Sequence, residues 1–247
     1  MSLGLAIRLI VLVLLIAFLV TPESFAFVFQ PLTKNGQPAI YVQNSLLNLT
    51  ISHLMIVAIA TIASTLIAVS LAVLVTRPFG AEFLPLSRSL ANIGQTFPPV
   101  AVLALAVPVL GFGTAPTLVA LFLYGLLPIF ENALTGLITL PPAVVEAARG
   151  VGMTDAQRLT HVELPLATPV ILAGIRLSVV ISVATATIGS TVAASTLGEV
   201  IIAGLLTNNI AFVLQGGLVV GVIAVLIYDG LSAVERRLMA RTGQGRR

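Results

Sequence analysis

Apolar runs as long as a bilayer is thick set the first limit on what this chain can fold into. The hydrocarbon core of a bilayer is about 30 Å across, and about 20 helical residues cross it. Residues 3–20, 46–76, 90–110, 116–136, 168–194 and 211–231 each supply such a run. In lipid the backbone must satisfy its own N–H and C=O groups, as a helix does. Only 9% of the residues are charged and 58% are hydrophobic, whereas soluble domains are roughly 25% charged. We therefore expect an all-α integral membrane protein: one transmembrane domain over residues 1–247, with six transmembrane helices.

Each run carries its own punctuation. Leu3 to Val20 is nearly unbroken Leu, Ile and Val, with Arg8 near its start. A basic residue before an apolar run, followed by Ser24-Phe25-Ala26, also fits a cleaved secretory signal. The length of the run and the bulk of Phe25 favour a retained span. Residues 21–45, with Pro22, Pro31, Lys34-Asn35-Gly36 and Pro38, read as an external loop. Residues 46–76 exceed a straight span at about 1.5 Å per residue, so this helix is expected to tilt or to begin outside the hydrocarbon. His53 near its outer end reads as interfacial. Ala60, Ser64, Ala68 and Ala72 recur every fourth residue, a small-residue ridge that lets helices approach closely.

Residues 77–89 read as a short loop holding Arg77 and Arg88. Pro98 and Pro99 then lie inside the third run, where they free carbonyls that lipid cannot satisfy, so this face must meet protein or a water-lined cavity. The fourth run holds Tyr124, Pro128, Glu131 and Asn132. In the fifth, Gly174, Ser178, Ser182, Ala186 and Ser190 form a second every-fourth ridge. It serves either close packing alone or a polar path lined by hydroxyls, together with Thr185 and Thr187. Residues 196–209, with Glu199, read as a short helix that dips back or lies at the outer surface. Gly217 and Gly221 in the sixth run are spaced for close packing.

Arginine placement orients the chain. With the N-terminus inside, Arg77, Arg88, Arg149, Arg158 and the tail arginines 236, 237, 241, 246 and 247 all fall inside, against Lys34 outside. An excess of basic residues on the cytoplasmic side is the expected bias. Both termini are expected in the cytoplasm, with the chain in the cytoplasmic (inner) membrane. A formal charge of +3 thus reflects topology and a lipid partner, with no nucleic acid implied.

One polar stretch stands out. Pro141 to Pro165, PPAVVEAARGVGMTDAQRLTHVELP, carries Glu146, Arg149, Asp155, Arg158, His161 and Glu163. Pro141-Pro142 suits a helix start, where the missing N–H has no partner to lose. Gly150 and Gly152 interrupt it, Thr154 and Gln157 have the spacing of a capping box, and Leu164-Pro165 closes it. The pattern is a helix–turn–helix between two spans, exposed to something outside the membrane.

Several chemistries are missing. Lys34 is the single lysine, and no G-x-x-x-x-G-K-[ST] loop exists to cradle phosphate. There is no cysteine, and the two histidines are expected on opposite sides of the membrane, so no metal cluster or Ser–His pair can assemble. The chain is not expected to be an enzyme or to bind a cofactor. Intramembrane charges are functional candidates by default. Glu131 and Arg176 lie about 8 and about 12 Å in from the inner ends of their spans at about 1.5 Å per residue. Either they form an ion pair, or both snorkel to the interface separately.

Glu146-Ala147-Ala148, three residues, Gly152, nine residues, Val162, one residue, Leu164-Pro165: this resembles the EAA loop of ABC importer permeases, EAA-x3-G-x9-I-x-LP, with Val162 replacing Ile. The resemblance implies the type I ABC importer permease fold, and a cytoplasmic coupling helix lodged against a separate ATPase subunit through Glu146, Ala147, Ala148, Gly152, Leu164 and Pro165. ATP would be bound by that subunit. Residues 95–137 and 162–176 are similar to permeases for osmoprotectants such as glycine betaine, choline and carnitine. Where that family has a segment like GAGGLG, this chain reads STVAASTLG over residues 190–198.

The family implies a pore of two permease chains, the same or related, with a dimer of ATPase subunits and an extracytoplasmic substrate-binding protein. Quaternary ammonium recognition uses aromatic faces, and this chain has three tyrosines and no tryptophan, so selectivity is expected mainly in the binding protein. Asn92, Gln95, Thr96, Thr185 and Ser190 are candidates to line the pore. The alternatives are an ABC permease for another small solute (an amino acid such as methionine, or an oxyanion) and an ATPase-independent channel or scaffold.

Overall fold

The structure is a computed structural model that describes residues 3–34 and 36–241. Asn35 and the tail arginines Arg246 and Arg247 lie outside the described residues. Among the described residues every regular element is helical. The principal helices are α1 (Leu3–Val20), α2 (Leu46–Val75), α3 (Leu84–Thr96), α4 (Pro99–Leu110), α5 (Thr114–Ile138), α6 (Pro142–Gly150), α7 (Asp155–Arg158), α8 (Leu164–Thr185), α9 (Gly198–Leu206) and α10 (Ile210–Arg241). Four helical stretches are long and apolar enough to cross a membrane: Leu46–Val75, Thr114–Ile138, Asp155–Val192 and Ile210–Ala240. Two bent pairs bring the number to six if each counts as one span: Ala6–Val20 with Pro22–Leu32, and Ala81–Thr96 with Pro99–Leu110.

The second bent pair differs in its bounds from the third span expected over 90–110, and it breaks at the Pro98-Pro99 pair singled out in that span. The helix starts earlier, at Leu84, and turns by 97° between Thr96 and Pro99. Phe97 is extended at φ −97°, ψ 139°. Pro98 and Pro99 have no N–H to give, so the ladder of α3 cannot continue through them. A second difference concerns Leu164-Pro165, which were expected to end the polar unit. A π-helical turn, Leu159–Glu163, joins α7 to α8, and the helix runs on from Asp155 to Val192. Pro165, which has no N–H for the helix ladder, follows directly on this π-turn, where the regular hydrogen-bond pattern is already interrupted.

The chain forms two compact units. One comprises the described residues up to Ile59 with Pro98–Leu121 and Ser182–Ile227. Its core includes Tyr41, Leu46, His53, Val183 and Leu197, all 2% exposed or less. Segment 37–44 is strapped down by side chains: Asn209 Nδ2 donates to the Pro38 carbonyl at 2.9 Å and Gln215 Nε2 to the Ala39 carbonyl at 2.7 Å. His53 is buried rather than interfacial, with Nε2 3.0 Å from the Val183 carbonyl and Nδ1 3.4 Å from the Leu197 N–H. Of the last helix, Gly216 rather than Gly217 makes the close contact. A Cβ at Gly216 would meet Ile201 at 2.6 Å, while Gly217 and Gly221 face open space within the chain.

The other unit comprises Ala60–Phe97, Phe122–Ile181 and the described residues from Tyr228 on. Ala68 and Ala72 of α2, Ile129, Phe130 and Ala133 of α5 and Ala167 of α8 share its core, all fully buried. The every-fourth ridges converge at Gly125, where an added Cβ would lie 2.8 Å from both Ser64 Oγ and Ser178 Oγ. Small residues here bring three helix backbones together, as membrane packing favours when lipid offers no hydrophobic drive. For Ser64, Ser178 and Ser182, all 1% exposed or less, the packing reading of the ridges holds.

Candidate functional site

The polar helix–turn–helix is built from local rules. Pro142 opens α6, and Val151 closes it by returning its N–H to the Ala147 carbonyl. Gly152 follows at φ +82°, a left-handed conformation that glycine adopts without the Cβ clash other residues meet. Thr154 then caps α7 with the full reciprocal box predicted: its hydroxyl accepts from the Gln157 N–H, and Gln157 Oε1 accepts from the Thr154 N–H at 2.9 Å. Glu146, Ala147, Gly152 and Pro165 are exposed, Leu164 is half-buried, and Ala148 is turned inward. Val151, Gly152, Met153, Gln157 and His161 line an open groove of about 400 Å³. An exposed glycine turn beside an exposed carboxylate lets another protein surface come close.

Beneath this surface lies a charge network. Glu163, 5% exposed, receives Arg158 Nε at 2.8 Å on one carboxylate oxygen and contacts Arg77 with the other. Arg158 also holds Asp155 at 2.8 Å. Sequence reasoning noted all four residues but joined none of them, because Arg77 and Glu163 are 86 positions apart.

The proposed Glu131–Arg176 pair is not formed. Glu131 is held by Arg88 in a two-pronged contact, Nε to Oε1 at 2.6 Å and Nη2 to Oε2 at 3.1 Å. Arg176 instead meets Glu235 at 2.6 Å and Ser232 Oγ at 2.7 Å, with its guanidinium 4.7 Å above the Tyr228 ring. The reason is the early start of α3: Arg88, read as a loop residue, is one turn into a helix and within reach of α5.

The pore candidates fall in both units. Asn92, Gln95 and Thr96 are exposed positions on α3, but Gln95 Nε2 donates to the Tyr124 carbonyl at 3.0 Å and Thr96 Oγ1 to the Ile93 carbonyl at 2.8 Å. Thr185 is half-buried at the end of α8. Ser190 shares a hydrogen with Thr196 Oγ1 at 2.7 Å and reaches the Ala194 carbonyl. Sequence reasoning missed the buried polar cluster of the first unit, where the Tyr41 hydroxyl donates to Glu199 at 2.7 Å. Burial, and then that carboxylate, push the Tyr41 phenol above its ordinary pKa.

Comparison with known proteins bears on what this arrangement is. Residues 64–240 match the family described as "Binding-protein-dependent transport system inner membrane component". The osmoprotectant import permease protein OsmY of Salmonella typhimurium is 40% identical over 200 residues, 81% of this chain and 85% of that protein. The choline transport system permease protein OpuBB of Bacillus subtilis is 40% identical over 85% of this chain and 93% of its own length. The glycine betaine/carnitine/choline permease protein OpuCB of the same organism is 36% identical over 81% and 91%. A chain of the MetNI methionine ABC transporter has the same fold, with a TM-score of 0.70 and 20% identity over 78% of this chain and 95% of that one. The family match covers the small-residue ridges from Ser64 on, the helix–turn–helix and its charge network, and the chain belongs to the permease family of ABC importers, the inner membrane components of binding-protein-dependent transport systems.

Proposed function

We propose that this permease imports osmoprotectants, small quaternary amines such as glycine betaine, choline or carnitine, with energy from ATP hydrolysed on a separate chain. The observation that carries the cargo is that relatives 36–40% identical over most of their length are named for osmoprotectant, choline, glycine betaine and carnitine import. The chain is read as a single permease domain crossing the inner membrane six times, each bent pair counted as one span, with both termini in the cytoplasm. The arginine bias supports that orientation.

In this reading Pro141–Pro165 is the coupling segment. Glu146, Ala147 and Gly152 meet an ATPase subunit, Ala148 anchors α6 from beneath, and Leu164-Pro165 passes the motion into α8. Two ATPase subunits, a second permease chain and an extracytoplasmic binding protein complete the transporter. Asn92 and Thr185 are the better candidates for the solute path, since the polar groups of Gln95, Thr96 and Ser190 are taken up internally. Selectivity is left mainly to the binding protein. Tyr41 and Tyr124 are buried, and Tyr228, though 47% exposed, carries the Arg176 guanidinium over its ring, so the three tyrosines do not form a cage of free rings for a quaternary ammonium.

The test is reconstitution in liposomes with the co-purifying ATPase and binding protein. ATP-dependent uptake of glycine betaine, choline or carnitine is expected, and the same solutes should raise the melting temperature of the binding protein. Uptake without any ATPase, or stabilisation by methionine alone, would overturn the reading.

A further inference from the structure

We propose that Glu163 is a positioning residue that makes the helix–turn–helix move two membrane helices together, α8 and the Ala60–Val75 part of α2. The inference rests on the coupling role proposed above. One route is covalent, because α7 runs through the π-turn into α8 without a break. The second is the charge network. Asp155 holds Arg158, Arg158 holds Glu163, and Glu163 holds Arg77 just past the end of α2.

The link is anchored at each end. Arg77 Nε reaches the Val73 carbonyl at 3.4 Å and Nη2 reaches Thr76 Oγ1 at 3.3 Å, which ties the guanidinium to the last turn of α2. The side chains of Arg77, Glu163 and Arg158 are 14%, 7% and 9% exposed. Exposed ion pairs contribute little, but separating a buried pair leaves charges without partners at large cost. A displaced α7 therefore carries the α2 end with it rather than shearing past. The EAA-like spacing leaves position 163, just before Leu164-Pro165, unspecified, and this chain places an acid there.

The chain has no cysteine, so introduced thiols are its only labelling sites when it is labelled before assembly with its partners. In the complete transporter, with the labelled chain diluted among unlabelled copies, spin labels at Phe79→Cys, beside Arg77, and Ala156→Cys, on α7, report the distance between the α2 end and the helix–turn–helix. With Glu163 intact this distance stays constant between nucleotide-free and ATP-trapped states. In Glu163→Gln it changes with ATP, and solute imported per ATP falls at least about fivefold, the lower end of coupling between sites. Arg77→Gln cuts the link from its other end and gives the same two changes, which guards against a folding defect peculiar to one variant. A distance that stays constant in both variants, or that already changes with Glu163 intact, overturns the proposal. If the ATPase subunits do not bind, or ATP leaves the Ala156→Cys label unaltered, the coupling role itself falls and takes this inference with it.

Discussion

Gln95 and Tyr124 each repair a backbone break in the other's helix. Pro128 has no N–H, so the Tyr124 carbonyl one turn before it has no donor within α5, and Gln95 Nε2 supplies one at 3.0 Å. On α3 the Phe97 carbonyl is freed at the 97° bend, because the Ala101 N–H goes to the Pro98 carbonyl instead. The Tyr124 hydroxyl donates to that freed carbonyl. Gly94 brings the helices close enough, since a Cβ there would lie 2.1 Å from the Leu123 carbonyl oxygen. The C-terminal end of α3 is thus tied to α5 by two side chains, and each answers a break that a proline makes.

Gln95→Leu is expected to lower thermal stability in detergent by about 0.6–1.7 kcal/mol, the range for side-chain hydrogen bonds between membrane helices. In a Pro128→Ala background the loss shrinks, because the backbone then provides its own donor to Tyr124. A double-mutant cycle measures the difference, and equal losses in both backgrounds would exclude the repair.

Arg176→Ala leaves Glu235 without its cation. Breaking a buried pair costs roughly 3–5 kcal/mol, and because these side chains keep 21% and 11% exposure we expect about 2 kcal/mol in thermal unfolding. Adding Glu235→Gln restores part of the loss. Adding Glu131→Ala does not, because Glu131 belongs to Arg88.

Gly125→Ala overpacks the crossing of α2, α5 and α8, where Ser64 Oγ and Ser178 Oγ stand 2.8 Å from the new Cβ. Overpacking costs about 1–3 kcal/mol. Gly217→Ala, with open space around it, is expected to leave the melting temperature of the isolated chain unchanged or slightly raised.

Tyr41→Phe removes a hydrogen bond to a carboxylate, a loss of about 1.5–3 kcal/mol. The native fold raises this phenol's pKa above its ordinary value of 10.0, so it favours the protonated form. The stabilisation is therefore fully present below about pH 10 and is lost as the pH rises further, when the unfolded phenol ionises first. Thermal unfolding across alkaline pH is expected to show the advantage over Tyr41→Phe constant up to that point and shrinking beyond it.

Much of this architecture is written in the sequence itself. Lipid leaves an apolar run few options besides a helix, so the runs could be read from hydropathy. The Thr154–Gln157 box, the inward every-fourth ridges and the trouble at Pro98-Pro99 follow from rules that act within a turn or two of chain. Which partner each charge chose was not legible. Counting residues along a helix gives depth alone, and Glu131 and Arg176 matched in depth. The direction a side chain faces, and whether Arg88 or Glu235 stands opposite, depends on where α3 begins and how α10 lies against α8. The same limit put the close-packed glycine at Gly217 instead of Gly216, one position and about 100° of helix away. Pairing needs the third dimension, and for Glu163 only the packed structure brings Arg77 to it.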